Sequence, residues 1–178
     1  MIIFYVGRRG TGKTLTMVYN AYKYFLDGWK IYSNFELPFS EYIDSEEILK
    51  IDKNSTIKNC VILIDEISVL YDSRRSMKKT NINFSQVLME LRKRNINILA
   101  TTQFSGTTDL RFRQHVDIIA RPKFNKKYCV CEVNYMDVTA FEDDFNLMSG
   151  IISTKNNFIT VVYDPKPIFK LYDTNRII

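Results

Sequence analysis

The feature that most constrains this chain is a glycine-rich turn placed directly after an apolar run. Met1 to Val6 is apolar throughout, and Gly7-Arg8-Arg9-Gly10-Thr11-Gly12-Lys13-Thr14 follows it without a break. Those residues match G-x-x-x-x-G-K-[ST] at every fixed position. The pattern predicts a strand that runs into a tight turn and then opens a helix. Backbone N–H groups of such a turn surround the β-phosphate of a nucleotide, and the helix N-terminus adds positive potential. Gly7, Arg8, Arg9, Gly10, Thr11, Gly12, Lys13 and Thr14 are therefore the expected ATP contacts. Within them Lys13 reaches the β- and γ-phosphates, and the Thr14 hydroxyl is an expected Mg²⁺ ligand. A glycine turn with no chemical purpose needs neither the strand before it nor the helix after it.

Downstream the pattern repeats in a way that selects an architecture. Leu15, Val18, Tyr22, Phe25 and Leu26 recur at helical spacing and stop at Asp27-Gly28, so they predict an amphipathic helix with that buried stripe. Trp29 to Phe35 reads as a strand, and Ser45 to Ile51 as a short helix capped by Asp44. Cys60-Val61-Ile62-Leu63-Ile64 is apolar without alternation, as a strand buried on both faces must be. A helix with Phe84, Val87, Leu88 and Leu91 inward comes next, ending on Arg92-Lys93-Arg94, and then a buried strand from Ile96 to Thr101. Val116 to Ala120 is a further strand, closed by Arg121-Pro122. Tyr128 to Val138 and Phe158 to Tyr163 predict antiparallel strands, and the residues after Asp164 an extended tail carrying Phe169 and Tyr172. This order predicts an α/β fold of three layers with a mainly parallel central sheet and antiparallel C-terminal strands. The whole chain, 1–178, reads as a single domain, with a motif-bearing core over 1–122 and strands and tail over 123–178.

Parallel sheets place ligands at the carboxyl ends of their strands. The polar residues worth naming stand at those ends. Asp65 closes the apolar strand and suits a Mg²⁺ position beside Thr14. Glu66 points differently and could polarise a water for attack on the γ-phosphate. Gln103 ends the neighbouring strand, where an amide senses the γ-phosphate or holds the attacking water. Arg111 and Arg113 lie in the loop beyond it as candidates for a finger that reaches a neighbouring subunit's nucleotide, because a planar cationic fork stabilises charge on a transferred phosphoryl group. Arg74, Arg75, Lys78 and Lys79 form a basic cluster able to touch a nucleic-acid backbone. A solvated loop explains that cluster equally well.

Composition removes several alternatives. Of the 178 residues 46% are hydrophobic and 25% charged, which is ordinary for a globular domain. No apolar run is long enough to span a bilayer, and Arg8-Arg9 ends the N-terminal run too early for a signal peptide. The lone His115 leaves too few ligands for a Cys/His metal site, and Ser-His-Asp or Cys-His catalysis is set aside as a leading reading. Cys60, Cys129 and Cys131 are thus expected to be structural, the last two on one face of a strand. A net charge of +5 favours a polyanionic partner.

Taken together, Gly7 to Thr14, Val61 to Glu66, Glu90-Leu91-Arg92-Lys93-Arg94-Asn95 and Leu99-Ala100-Thr101-Thr102-Gln103 resemble the FtsK–HerA superfamily of DNA-pumping ATPases, over residues 1 to 122. The chain looks most like the packaging ATPases of membrane-containing icosahedral viruses, and is also similar to the zonular occludens toxin-like assembly ATPases of filamentous phages. The resemblance implies a RecA-like (ASCE) P-loop NTPase and an ATP-driven ring, hexameric, that moves double-stranded DNA into a capsid. It further implies capsid or vertex proteins as partners and a place in the host cytoplasm or at a capsid vertex. Toxin-like proteins usually carry a membrane-spanning segment beyond the ATPase domain, and the lack of one here favours the packaging role. A small-molecule nucleotide kinase is a third reading. It would need an acceptor pocket and an arginine-rich lid, and the Asp65-Glu66 pair argues against it. A nucleotide-dependent switch or scaffold without turnover is a fourth.

Overall fold

Strand β1 (Ile2–Val6) shows why the sheet is built as it is. Ile2 and Phe4 enter one apolar cluster while Ile3 and Tyr5 enter another, all of them buried. A strand apolar on both faces satisfies its backbone only between two other strands and its side chains only under two covering layers. The computed structural model describes residues 1–68, 84–103, 115–139 and 158–171. Its sheet has 8 strands in the order β3-β2-β4-β5-β1-β6-β7-β8. These are β2 (Lys30–Ser33), β3 (Glu41–Tyr42), β4 (Cys60–Ile64), β5 (Ile96–Thr102), β6 (Ile118–Asn125), β7 (Val130–Asp137) and β8 (Phe158–Tyr163).

From β3 across to β6 every pairing is parallel, with β5 lying between β1 and β4. Beyond β6 the sheet turns antiparallel through β7 and β8. The expected mainly parallel sheet with antiparallel C-terminal strands is therefore present, with β5 interposed between the glycine-turn strand and the carboxylate strand.

Helix α1 (Lys13–Leu26) covers one face, packing Leu15, Met17, Val18 and Ala21 on Tyr5, Val61, Leu63 and Leu99. The opposite face is covered by α2 (Ser45–Leu49) and α3 (Phe84–Lys93), through Ile48, Leu49, Val87, Leu88 and Leu91. Asp44 caps α2 as expected. Its carboxylate accepts the Glu46 N–H at 2.8 Å, and Glu47 in turn accepts the Asp44 N–H at 3.2 Å.

Four local expectations differ from the structure. The buried stripe of α1 runs through Met17 and Ala21, whereas Phe25 and Leu26 at its end are exposed. At the end of the helix the Phe25 ring leans on those of Tyr22 and Phe39. Strand β6 continues through Arg121 and Pro122 to Asn125. Proline is tolerated there because β1 pairs with β6 only as far as Ala120. Phe124, two residues on and so facing the same way, sends its N–H to Thr11 O at 3.0 Å. The Pro122 nitrogen thus faces past the end of β1, where no ladder bond is lost. Cys129 sits in the turn before β7 with φ 50°, while Cys131 is fully buried in the strand, so the two share no face. Finally, the segment after Asp164 forms a short helix, α4 (Lys166–Phe169), which buries Ile168 on the α1 side of the sheet. The side chain of Phe84 and all of Tyr172 lie outside the described residues.

Burial in β4 and exposure in β8 give a direct test. Ile62→Ala, at a fully buried central position, is expected to lower the unfolding free energy by about 2–5 kcal/mol. Ile159→Ala, at a position 68% exposed, is expected to change it by less than about 0.5 kcal/mol. Urea unfolding of both variants checks the contrast.

Candidate nucleotide site

The carboxyl ends of β1, β4, β5 and β2 meet at one edge of the sheet, and the residues just beyond each strand end assemble the site. After β1 the chain makes its glycine turn. The Arg8 carbonyl is the hub of that turn. It accepts from the Thr11 N–H at 3.4 Å, the Thr11 hydroxyl at 2.9 Å and the Lys13 ammonium at 3.0 Å. Gly12 caps α1 with φ 92°, and a Cβ there would stand 3.3 Å from Phe124 Cβ and 3.4 Å from Cys131 Sγ. A Cβ on Gly7 would fall 2.7 Å from the Thr11 hydroxyl. Gly7 is therefore needed for space, and Gly12, though closely approached, for its left-handed backbone.

Thr14, in the first turn of α1, donates its hydroxyl to Asp65 Oδ1 at 2.9 Å. The same oxygen accepts the Thr101 hydroxyl, from β5, at 2.7 Å. Asp65 thus joins the glycine turn's helix to two neighbouring strands. Glu66 adopts φ 61°, and its carboxylate meets partners other than those of Asp65. It accepts from Gln103 Nε2 at 3.0 Å and from the Ser68 hydroxyl at 3.3 Å. Gln103 Oε1 in turn accepts from Arg9 Nε at 3.3 Å. A continuous chain Arg9–Gln103–Glu66–Ser68 therefore crosses the site beside the Thr14–Asp65 pair.

The Lys13 ammonium is half-buried in this cluster. Burial lowers its pKa, and the carboxylates of Glu66 and Asp65 partly oppose that shift. The hydroxyl of Thr14 and the carboxylate of Asp65 are hard oxygen donors of the kind Mg²⁺ takes, so the donor set fits that ion.

All of Gly7 to Thr14, Asp65, Glu66 and Gln103 are brought together at this edge. Arg111, Arg113, Arg74, Arg75, Lys78 and Lys79 lie outside the described residues. Sequence reasoning passed over Asn34, Thr101 and Ser68. Asn34 follows β2, donates its side-chain amide to Asp65 O at 3.2 Å and accepts the Asp65 N–H at 2.8 Å. For Asn34 and Thr101 the available signal was position, as polar residues at or just beyond the ends of the parallel strands beside the carboxylate strand, and Ser68 stands just past the carboxylates themselves.

A glycine turn at the end of β1, a carboxylate pair at the end of β4 and an interposed β5 define a P-loop NTPase. The family model for zonular occludens toxin (Zot) matches residues 1–176, and the chain belongs to that family. No curated protein sequence matches it significantly. Among solved structures it is similar to the N-terminal domain of zonular occludens toxin from Neisseria meningitidis. That likeness has a TM-score of 0.66 and 20% identity, over 97% of this chain and 98% of that one. It is also similar to the genome packaging NTPase of Sulfolobus turreted icosahedral virus 2, in complex with ATP-gammaS. Here the TM-score is 0.53 and the identity 14%, over 77% of this chain and 91% of that one. The flagellar accessory protein FlaH from Methanocaldococcus jannaschii gives a TM-score of 0.51 at 13% identity, over 89% and 83% of the two chains. At these identities the structures speak for the fold alone.

The Lys13 shift sets the sign of a stability test. A lysine whose pKa is lowered on folding is held charged at a cost, and stability rises with pH as the pH passes its folded pKa towards 10.5. Lys13→Met is therefore expected to melt no lower than the wild type at pH 7 and to lose the alkaline gain. ATP affinity, read by titration of a fluorescent analogue, is expected to fall by about tenfold or more with loss of a charge-assisted contact.

Proposed function

We propose that this chain is an ATP-hydrolysing motor domain that drives assembly and export of a filamentous phage, the role the zonular occludens toxin-like resemblance implies. The observation that carries hydrolysis is the pairing of two separated carboxylates: Asp65 bonded to Thr14 at 2.9 Å, and Glu66 turned away onto Gln103 at 3.0 Å. ATP binds with its phosphates in the turn from Gly7 to Thr14, where Lys13 leaves the Arg8 carbonyl for the β- and γ-phosphates. Thr14 and Asp65 would hold Mg²⁺, which supplies charge neutralisation on the phosphates. Glu66 takes a proton from the attacking water, and Gln103, already bonded to Glu66, lies where it can orient that water. A kinase would place an acceptor group there instead, and the glutamate–glutamine pair suits water better.

Assembly takes precedence over packaging because the family model spans residues 1–176. That no described helix could cross a membrane does not weigh against it. The toxin structure matched over 98% of its length is itself an N-terminal domain, so the comparison covers only that part of the toxin. Among the described residues no helix is long and apolar enough to cross a membrane. Packaging of double-stranded DNA by a hexameric ring, with capsid or vertex partners, is the second reading, supported by the likeness to a genome packaging NTPase. In either reading Arg111 or Arg113 would reach a neighbour's nucleotide, and the basic cluster at Arg74, Arg75, Lys78 and Lys79 would face a polyanion.

ATP hydrolysis measured with and without double-stranded DNA, at several protein concentrations, separates these readings. Mg²⁺-dependent turnover indifferent to DNA, and reduced by about a hundredfold or more in Glu66→Gln, is the expected result. Turnover that climbs with DNA moves packaging ahead. A more-than-linear rise with protein concentration indicates sites shared between subunits. Glu66→Gln turning over like the wild type would remove Glu66 from the reaction.

A further inference from the structure

We infer that Thr101 and Asn34 form a clamp that holds the Asp65-Glu66 turn with its two carboxylates apart, and that Thr101 is a positioning residue for both. The inference rests on the reading of Asp65 as metal-side and Glu66 as water-side carboxylate.

The backbone N–H groups of that turn, at Asp65, Glu66 and Ile67, all go to these two residues. Asn34, just past β2, receives the Asp65 N–H and donates to the Asp65 carbonyl. Thr101, on β5, accepts the Glu66 N–H on its hydroxyl at 2.8 Å and the Ile67 N–H on its carbonyl at 2.9 Å. With the proton of that same hydroxyl it donates to Asp65 Oδ1. β4 is thus gripped at its end from β2 on one side and β5 on the other, the strands that flank it in the sheet.

The grip matters because Glu66 stands at φ 61°. A glutamate does not take a left-handed backbone unaided, and such a conformation persists where surrounding bonds over-determine it. The Glu66 N–H bond to Thr101 is one of those bonds. An extended backbone at this point would send the Glu66 side chain elsewhere than Gln103. One hydroxyl, 2% exposed as part of its residue, therefore does two tasks. It orients the Asp65 oxygen that also meets Thr14, and it secures the backbone that aims Glu66. Serine could do both, while valine, equal in shape, could do neither.

The test compares wild type, Thr101→Val, Thr101→Ser and Asn34→Ala. Affinity for a fluorescent ATP analogue is measured in Mg²⁺ and in EDTA, beside steady-state turnover and thermal melting. In Thr101→Val, affinity in EDTA should match the wild type. The gain in affinity that Mg²⁺ confers should shrink by about tenfold or more, and turnover should fall by at least as much, as for other residues that orient metal ligands. Thr101→Ser should recover both, and Asn34→Ala should lose turnover with its fold intact. Equal Mg²⁺ gain and turnover in Thr101→Val and wild type would overturn the clamp while leaving the site reading in place. So would equal weakening with and without Mg²⁺, which marks general damage to the site. A wild type whose affinity ignores Mg²⁺ would overturn the site reading itself, and the clamp with it.

Discussion

The joint between the glycine turn's helix and the central sheet depends on one carboxylate oxygen. Asp65 Oδ1 accepts from Thr14 on α1 and from Thr101 on β5, and so ties the glycine turn's helix to the middle of the sheet. Hydrogen bonds to a charged group contribute about 1.5–3 kcal/mol each, against about 1 kcal/mol for a neutral pair. Two of them converging on one atom outweigh any single ladder bond at the strand ends. The constraint works because β4 and β5 are parallel neighbours in fixed register, Ile64 opposite Ala100, so that the next residue on each strand arrives at the same height.

The glycine turn is braced from its other side by the antiparallel extension. Phe124 in β6 donates its N–H to Thr11, and Cys131 in β7 packs where a Gly12 side chain would stand. Behind them the Tyr163 hydroxyl donates to Thr16 at 3.0 Å, and Tyr19 stacks on the Tyr163 ring at 3.9 Å. Asn20 adds bonds of 2.8 Å to the hydroxyls of Tyr5 and Tyr135. Burial raises the pKa of Tyr5, Tyr135 and Tyr163, so these hydroxyls stay neutral and the network keeps its polarity at physiological pH. The C-terminal strands, which carry none of the nucleotide motif, are thereby part of the wall that shapes it.

How far the sequence could be read varied with the range of the forces involved. The capping of α2 by Asp44 is a contact between near neighbours in the chain, and it was legible. The strands β1, β4 and β5 were legible because an apolar run without alternation has one stable placement. The end of β6 was not, because proline's effect depends on whether a partner strand is present at that height, and β1 stops just short of it. The stripe of α1 was illegible at Phe25 and Leu26 because periodicity says which residues could face inward, not which of them the rest of the chain covers. A shared face for Cys129 and Cys131 is compatible with their spacing, and a left-handed turn residue breaks the alternation.

The sequence by itself determined the chemistry. A glycine turn with Lys13 and Thr14, carboxylates at the end of a doubly buried strand and an amide at the end of the next are set by residue type and local backbone preference. The tertiary structure decided what those groups do to one another. That Thr101 bridges Asp65 and Glu66, that Asn34 holds the turn from the other side, and that Arg9 reaches Gln103 are contacts between residues far apart along the chain. Their geometry comes from strand order and register. The physical reason is that propensity and periodicity act over a few residues, whereas side chains from separate strands meet only where the packed sheet brings their ends level.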